Sequence, residues 1–588
     1  MTTDQNYQQI YRVGGMLDAG FVGQITYTIS LDQVYDELDI HFSFDKRLYS
    51  ESDVTPELID KLQTLCTAKY DAPTYPVEEF RQTILHEMKT EIHTMAELND
   101  NFIGCIHRQL TDRHMLYTKE FTSDGWLAQD TFSGVLKVTV LVFNVLLDNT
   151  QYTLTVSGHP VGQGVIAPNF NLMDTVKTAA GNAGASNAAG SADNSCDAES
   201  APASAVATAG SSGVSGAGSA ATAGDSSTTG SSSADNTVTA STRFKRLELH
   251  NHTVESDGNL TCQELTEYLA ADHVDAFAIT DHNTTSGQKK IEQLLEEKHY
   301  PISLIRGMEY TTYFGHILCL NLAKYVPWNS IDQHRPELLF EAAREKGALV
   351  GIAHPFSYGD PFARGCRFEM TVSDYSKVDF IETFNNPESL HEVNERGTNL
   401  WMSLIFSGYQ ITATSGMDLH NRAKLAGCYA TYIEGKNGGN IASELDTAIH
   451  THRTWVSKGA LLLTEVLPET NELLLTFTDA HKTGFSVSKT AQVVLKGKDK
   501  TFTTSVSLDK PVCVSLNQLS GTDPIIPLLY EAPGINGAAT VSNSAHVAAS
   551  TSCGSAADAI SAAGQLKEID ALPAIEGLLC VSPVLYRD

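Results

Sequence analysis

Between Leu247 and His420 the chain carries a series of His, Asp and Glu residues in short motifs, most of them closing an apolar run. The series begins with L-E-L-H-N-H-T-V-E-S-D-G, which places His250, His252 and Asp257 after a predicted strand. It continues with A-I-T-D-H (Asp281, His282), G-M-E (Glu309), G-H (His316), A-H-P (His354), I-E-T-F-N-N (Glu382) and S-G-M-D-L-H (Asp418, His420). Nitrogen and oxygen donors of this kind suit two or three divalent metals, and such ions serve hydrolysis by activating water.

An isolated H-x-H would carry little weight. Twenty histidines in 588 residues yield such pairs by chance, and a second one stands at His450-Thr451-His452. That pair closes a predicted helix, Ile441 to His450, where residues two apart diverge, so it reads as surface. His250 and His252 are predicted on a strand, where i and i+2 share a face. Other candidates are weaker. His86-Glu87 and His93 fall on a predicted helix, Val77 to Leu98, without the H-E-x-x-H spacing. His107, His114 and His159 have no carboxylate pattern around them in the sequence and read as surface or satisfied core residues. G-K-N-G-G-N near Gly435 reads as a turn, and neither a phosphate-cradling G-x-x-x-x-G-K-[ST] nor a convincing strand-turn-helix G-x-G-x-x-G is present.

The elements that must position the series lie in the middle of the chain. Residues 243–465 alternate strand and helix patterns: R-L-E-L-H, A-F-A-I-T-D-H, S-L-I-R-G-M-E, H-I-L-C-L-N-L, L-V-G-I-A-H-P, V-D-F-I-E-T-F and Q-I-T-A-T-S-G-M-D as strands. Helices are predicted at Thr261 to His273, with Thr261 as N-cap, and at Ser286 to His299, Pro336 to Lys346 and Ser389 to Ser407. Repeated βα units of this type predict a parallel sheet, and closure would make a barrel with functional groups at the C-terminal ends of its strands. Residues 1–172 read as a β-rich N-terminal domain, in which I-T-Y-T-I-S-L and L-D-I-H-F-S-F alternate as half-buried strands do. Residues 173–242, rich in Ala, Gly, Ser and Thr, read as a flexible linker, because such a segment buries too little apolar surface to offset its ordering entropy. Residues 466–588 read as a β-rich C-terminal segment with a second low-complexity stretch at about 533–565.

The formal net charge is −30, which disfavours nucleic acid and anionic membranes as partners. Ten scattered cysteines argue against a disulfide framework. The polar start M-T-T-D-Q-N-Y-Q-Q-I lacks a secretory pattern, and the most apolar run, Val138 to Leu147, is too short to span a membrane. A cytoplasmic protein acting on a small molecule is the expectation; oligomeric state stays open.

The order H-x-H, S-D-G, T-D-H, G-x-E, G-H, A-H-P, G-x-D-x-H resembles the PHP (polymerase and histidinol phosphatase) superfamily, and within it the carbaryl-hydrolase-like CehA/McbA branch. A-I-H-T-H-R-T-W-V-S-K-G-A also resembles the close of that branch's catalytic domain. The resemblance covers about 220 residues and implies an α/β fold, a distorted seven-stranded βα barrel, binding two or three ions of manganese, iron or zinc. It implies that His250 and His252 hold a first ion with Asp418, that Glu309 bridges, and that His282 and His420 serve another site. Asp257, His316 and His354 fill the remaining places, while Asp281 and Glu382 orient ligands. The implied function is a metal-dependent phosphoesterase that uses metal-activated hydroxide on a small phosphate ester. Arg364, Arg367, Arg422 and Lys424 follow ligand motifs and are candidate phosphate contacts; the plain alternative is solvated loop charge. Carbamate or carboxylic ester hydrolysis on the same centre is an alternative, and a non-catalytic binding module a third.

Overall fold

The computed structural model describes residues 7–70, 76–108, 110–118, 121–161, 242–385, 392–480, 488–532, 566–569 and 572–586. Apart from Thr242, the linker expected at 173–242 lies outside the described residues, as does the stretch at 533–565.

The N-terminal part is an antiparallel sheet of seven strands: β1 (Gln8–Leu17), β2 (Gly23–Phe44), β3 (Glu91–Leu98), β4 (Asn101–Ile106), β5 (Asp112–Tyr117), β6 (Phe132–Asn144) and β7 (Thr150–Pro160). Their order is β1-β7-β2-β6-β3-β4, with β5 also on β2. The two alternating runs read separately in the sequence form one long strand, β2. It pairs with β6 first and, past an irregularity between Leu31 and Tyr35, with β7 and β5. Helices α1 (Pro56–Tyr70) and α2 (Val77–His86) connect β2 to β3.

The helix expected over Val77 to Leu98 is corrected. It ends at His86, and residues 91–98 are strand β3. The reason is burial on both faces: Ile92, Ala96 and Leu98 pack into one apolar cluster and Met95 into another. A strand buried on both sides loses its alternation and cannot be told from a helix by periodicity.

The middle part begins with β8 (Thr242–Glu248), α3 (Cys262–Ala271), β9 (Ala276–Ile279), α4 (Ser286–Lys298), β10 (Ser303–Thr312) and β11 (Gly315–Leu320). It continues with α5 (Glu337–Glu345), β12 (Leu349–Ile352), β13 (Phe380–Phe384), α6 (Glu392–Phe406), β14 (Thr412–Ser415), β15 (Ala430–Lys436), α7 (Ile441–His450) and β16 (Thr454–Ser457). Thr261 caps α3 in a full capping box with Glu264. Strands β8, β9 and β10 are parallel, as are β12, β13 and β14. Between these trios β11 runs antiparallel to both neighbours. Among the described residues no ladder joins β14 to β8; the loops that follow these strands meet instead, at a parallel bridge between Asn251 and Leu419. The chain is thus mixed α/β, and its main sheet is richer in antiparallel pairing than an all-parallel arrangement.

The C-terminal strands are β17 (Ala460–Leu467), β18 (Glu472–Asp479), β19 (Thr490–Lys496), β20 (Thr501–Ser507), β21 (Val512–Ser515), β22 (Ile526–Glu531), β23 (Lys567–Ile569) and β24 (Leu578–Val581). Strand β24 pairs with β16 and with β22, so the main sheet runs past residue 465. β17, β18 and β21 form a small separate sheet. One apolar core unites all three parts: Met95 and Phe143 from the N-terminal sheet, Tyr310, Trp328 and Trp401 from the middle, Leu528 and Val581 from the C-terminal strands. Polar contacts reinforce the docking. The Tyr313 hydroxyl donates to the Gly23 carbonyl at 2.9 Å, and Lys69 pairs with Glu369 at 2.7 Å.

Close packing between β12 and β13 offers a test. A Cβ on Gly351 would fall 2.0 Å from the Phe380 ring. Gly351→Ala is expected to lower stability by about 1–3 kcal/mol, the usual effect of overpacking, read as a lower urea midpoint at unchanged slope.

Candidate metal centre

Backbone hydrogen bonds beyond the strand ends set the site. The His252 amide donates to the Leu419 carbonyl at 3.0 Å, and the Leu419 amide to the His250 carbonyl at 3.1 Å. This brings His250 and His252, after β8, beside Asp418 and His420, after β14. His282, after β9, bridges to Glu309 on β10. Because β11 is antiparallel, its first residues reach the same rim, which brings His316 to Glu309. His354 follows β12. Asp418 and His354 adopt positive φ, +48° and +22°. Such backbone strain costs on the order of 1–3 kcal/mol per residue in a non-glycine and persists where the surroundings enforce it.

The nine candidate ligands converge. His250 Nε2 lies 3.1 Å from Glu309 Oε2 and 3.3 Å from Asp418 Oδ1; His252 Nε2 lies 3.3 Å and 2.9 Å from the same two oxygens. His282 offers both nitrogens, Nδ1 at 3.0 Å from Glu309 Oε2 and Nε2 at 3.6 Å from Asp257 Oδ1. His420 Nε2 is 3.2 Å from Asp257 Oδ1. His316 Nδ1 and His354 Nε2 lie 2.8 Å and 3.0 Å from Glu309 Oε1. Three overlapping groups have one donor atom from each residue within 4.8 Å of the others: His250, His252, Glu309 and Asp418; His252, Asp257, His282 and His420; His282, Glu309 and His316.

The donors fit divalent cations on a physical ground. His250 Nε2, both nitrogens of His252, Asp257 Oδ1, Glu309 Oε2, His316 Nε2 and Asp418 Oδ1 are buried and make no hydrogen bond despite this crowding. Buried polar atoms are otherwise nearly always satisfied, and their loss of water is costly. A cation answers that need with the imidazole and carboxylate donors that zinc, iron and manganese take. The carboxylates are held ionised. Burial alone would raise Glu309, but His250, His316 and His282 outweigh it and keep it well below the usual range. Asp257 and Asp418 are likewise held low against burial by neighbouring histidines, while Asp257 and Asp418 push His420 up to about 10.

Glu382 and Asp281 stand behind the ligands. Both Glu382 oxygens lie 3.1 Å from His250 Nδ1, leaving Nε2 for the centre, and the carboxylate also accepts the His354 amide. Asp281 accepts the Thr253 amide and hydroxyl and the Ser256 hydroxyl at 2.7–2.8 Å, fixing the loop that carries His252. Gly416 lets this packing close: a Cβ there would lie 2.4 Å from His250 Cβ and 2.6 Å from Glu382 Oε1.

The four cationic candidates divide. Arg364 pairs with Asp360 at 3.0 Å, and Arg367 lies over the rings of Tyr70 and Phe356, so both belong to the loop after His354 that meets the N-terminal part. Arg422 and Lys424 are exposed, with Arg422 over Tyr268. The second H-x-H pair is separate: His450 is exposed, and His452 Nδ1 contacts the Thr412 hydroxyl.

The N-terminal histidines meet carboxylates that their sequence surroundings do not reveal, and the helix expected to carry His93 is overturned. His107, His114 and His159 each face a carboxylate: Asp257 at 3.4 Å, Asp39 at 3.0 Å and Asp36 at 2.7 Å. His93 lies on strand β3, not on a helix, and His107 stacks on His282 with centroids 4.1 Å apart. Burial, aided by nearby cationic groups and by each other, keeps His93 and His107 well below the ordinary imidazole range. Gly125 and Glu255 are further contacts missed in the sequence: the Gly125 amide donates to Glu255 Oε2 at 3.1 Å, and its carbonyl accepts from Thr284. The only sequence signal was the alternation E-I-H, which turns Glu91 and His93 to one face once residues 91–98 are read as a strand.

Residues 7–160 match a family of unknown function, DUF6669. A 5'-3' exoribonuclease of Haemophilus influenzae is 36% identical over 141 residues, 23% of this chain and 50% of that protein. The 5'-3' exoribonuclease Rnm of Escherichia coli is 34% identical over 79 residues, 13% of this chain and 27% of that protein. The chain therefore spans half or less of the length of these relatives. A two-domain protein of Bacteroides vulgatus, described as containing a predicted PHP-like metal-dependent phosphoesterase, aligns in structure with TM-score 0.31 and 14% identity, over 49% of this chain and 90% of that one.

Glu382→Gln is expected to weaken divalent metal binding about 10–100-fold, the usual effect of removing a carboxylate that orients a ligating histidine. Isothermal titration of the chelated chain with manganese or zinc measures it.

Proposed function

We propose that the chain is a PHP-type metal-dependent phosphoesterase acting on a small phosphate ester. The observation that carries this reading is the convergence of nine imidazoles and carboxylates, six of them buried and Asp257, Asp418 and His420 half-buried, whose donor atoms are crowded together yet make few hydrogen bonds. The motif order shared with the PHP superfamily supports it, as does the local likeness to the exoribonucleases.

In this reading His250, His252, Glu309 and Asp418 would hold one cation, Asp257, His282 and His420 a second, and Glu309 with His316 and His354 would be left for a third. The barrel that the resemblance implies is part of the same proposal. When bound, such cations lower the pKa of a coordinated water and polarise the ester oxygen. The chain's own residues then hold and orient. Glu382 fixes His250 and Asp281 fixes the His252 loop. Arg364, whose Nε is buried without a hydrogen bond, and Arg367 would supply positive charge for an anionic group from the loop that follows His354.

A second reading is phosphodiester cleavage at the end of an RNA strand. It is favoured by the 36% local identity with the Haemophilus influenzae exoribonuclease. Both readings use the same cations and differ in the length of the substrate.

The test compares p-nitrophenyl phosphate, its bis-ester, p-nitrophenyl acetate and a 5'-phosphorylated RNA oligonucleotide under manganese, iron and zinc. Turnover of the monoester that falls at least 10²-fold in His252→Ala is expected. Preference for the oligonucleotide selects the second reading. Activity on the acetate alone rejects both in favour of a carbamate or carboxylic ester hydrolase. Replacing Arg364 and Arg367 by Ala is expected to raise KM for the phosphate ester several-fold with little effect on metal content.

A further inference from the structure

We propose that Glu91, His93 and His107 hold a divalent transition-metal cation, in a site supplied wholly by the N-terminal sheet and separate from the barrel groups. The pleat dictates the convergence. Glu91 and His93 are two apart on β3 and share a face. β4 pairs antiparallel with β3, with Ile106 opposite Thr94, and His107 is the next residue in the chain.

The geometry is that of a coordination edge. One donor atom from each of the three lies within 4.8 Å of the other two. His93 Nε2 and Glu91 Oε1 are 3.1 Å apart. Ligands about 2.0–2.2 Å from a common cation are separated by about 3.0–3.5 Å. All three residues are buried, at 7%, 0% and 5% exposure for Glu91, His93 and His107. His107 Nδ1 is buried and makes no hydrogen bond, while its Nε2 faces Asp257. The two imidazole rings are in contact, with centroids 3.9 Å apart.

His93 Nε2 and Glu91 Oε1 are also within hydrogen-bond distance of one another. Arg113 is engaged elsewhere: its guanidinium donates to the carbonyls of Ile92 and Arg108 and lies over the Phe42 ring. Arg47 feels the Glu91 charge, but that interaction involves neither imidazole. Two imidazoles and one carboxylate select zinc, iron or manganese over the oxygen-seeking magnesium and calcium. Through His107 such a cation would stand next to Asp257 and His282 and would pin the N-terminal sheet over the barrel centre.

The decisive measurement is zinc-edge anomalous diffraction from crystals of the full chain at saturating zinc. A peak among Glu91, His93 and His107, resolved from any peak at the barrel groups, is expected. In solution, folded Glu91→Gln or His93→Gln should hold one zinc equivalent per chain less than wild type by elemental analysis. Absence of a peak there overturns the proposal whatever the barrel shows, and needs no variant. An unchanged zinc count in a folded variant overturns it too. Failure of the phosphoesterase reading would look different, with zinc peaks present and no turnover.

Discussion

The structure turns on one carboxylate. Glu309 is fully buried, and its two oxygens lie within 3.3 Å of nitrogens from His250, His252, His282, His316 and His354. Ionised groups taken out of water cost several kcal/mol each unless their charge is answered. Here five imidazoles and the neighbouring, half-buried Asp418 and Asp257 crowd around Glu309. Such a cluster is stable when cations organise it, and a sequence that keeps it must deliver each donor from a rigid element. The strands do this. Six of them end or begin at one rim, and cross-links beyond their ends hold the loops of His250 and Asp418 together.

The flanking parts serve the same constraint. The C-terminal strands extend the main sheet through β24 and complete the apolar core behind it. The N-terminal part meets the candidate centre. His107 reaches Asp257 and stacks on His282, and Gly125 ties to Glu255 and Thr284. Gly125 has φ +83°, and a Cβ there would lie 2.4 Å from the Cys105 carbonyl, so this approach depends on glycine. The matched family of unknown function thus covers a part of the chain that touches the candidate centre.

Much of the candidate site could be read from the residue order, for a physical reason. Parallel strands end at one rim, so motifs that follow apolar runs are brought together without any knowledge of the loops. That logic placed His250, His282, His354 and Asp418. It was less apt for Glu309 and Glu382, which lie within β10 and β13, and for His316, which reaches the rim only because β11 is antiparallel. The antiparallel β11 also breaks the simple βα repeat that the strand and helix patterns suggest. In the N-terminal part the reading failed where burial erased periodicity. Residues 91–98 pack on both faces, so a strand carrying Glu91 and His93 read as the tail of a helix. His107 could not be linked to Asp257, because contacts between residues 150 apart leave no local pattern.

The proposed phosphoesterase depends on Glu309 organising a multi-cation centre. Elemental analysis of the full chain, stripped with chelator and reloaded with manganese, tests it most directly in wild type against Glu309→Gln. Glu309 belongs to two of the three overlapping donor groups, so a folded Glu309→Gln chain should lose most of the bound manganese that wild type retains. A folded wild type that binds no manganese, zinc or iron, or a Glu309→Gln chain that binds as much as wild type, would contradict the account.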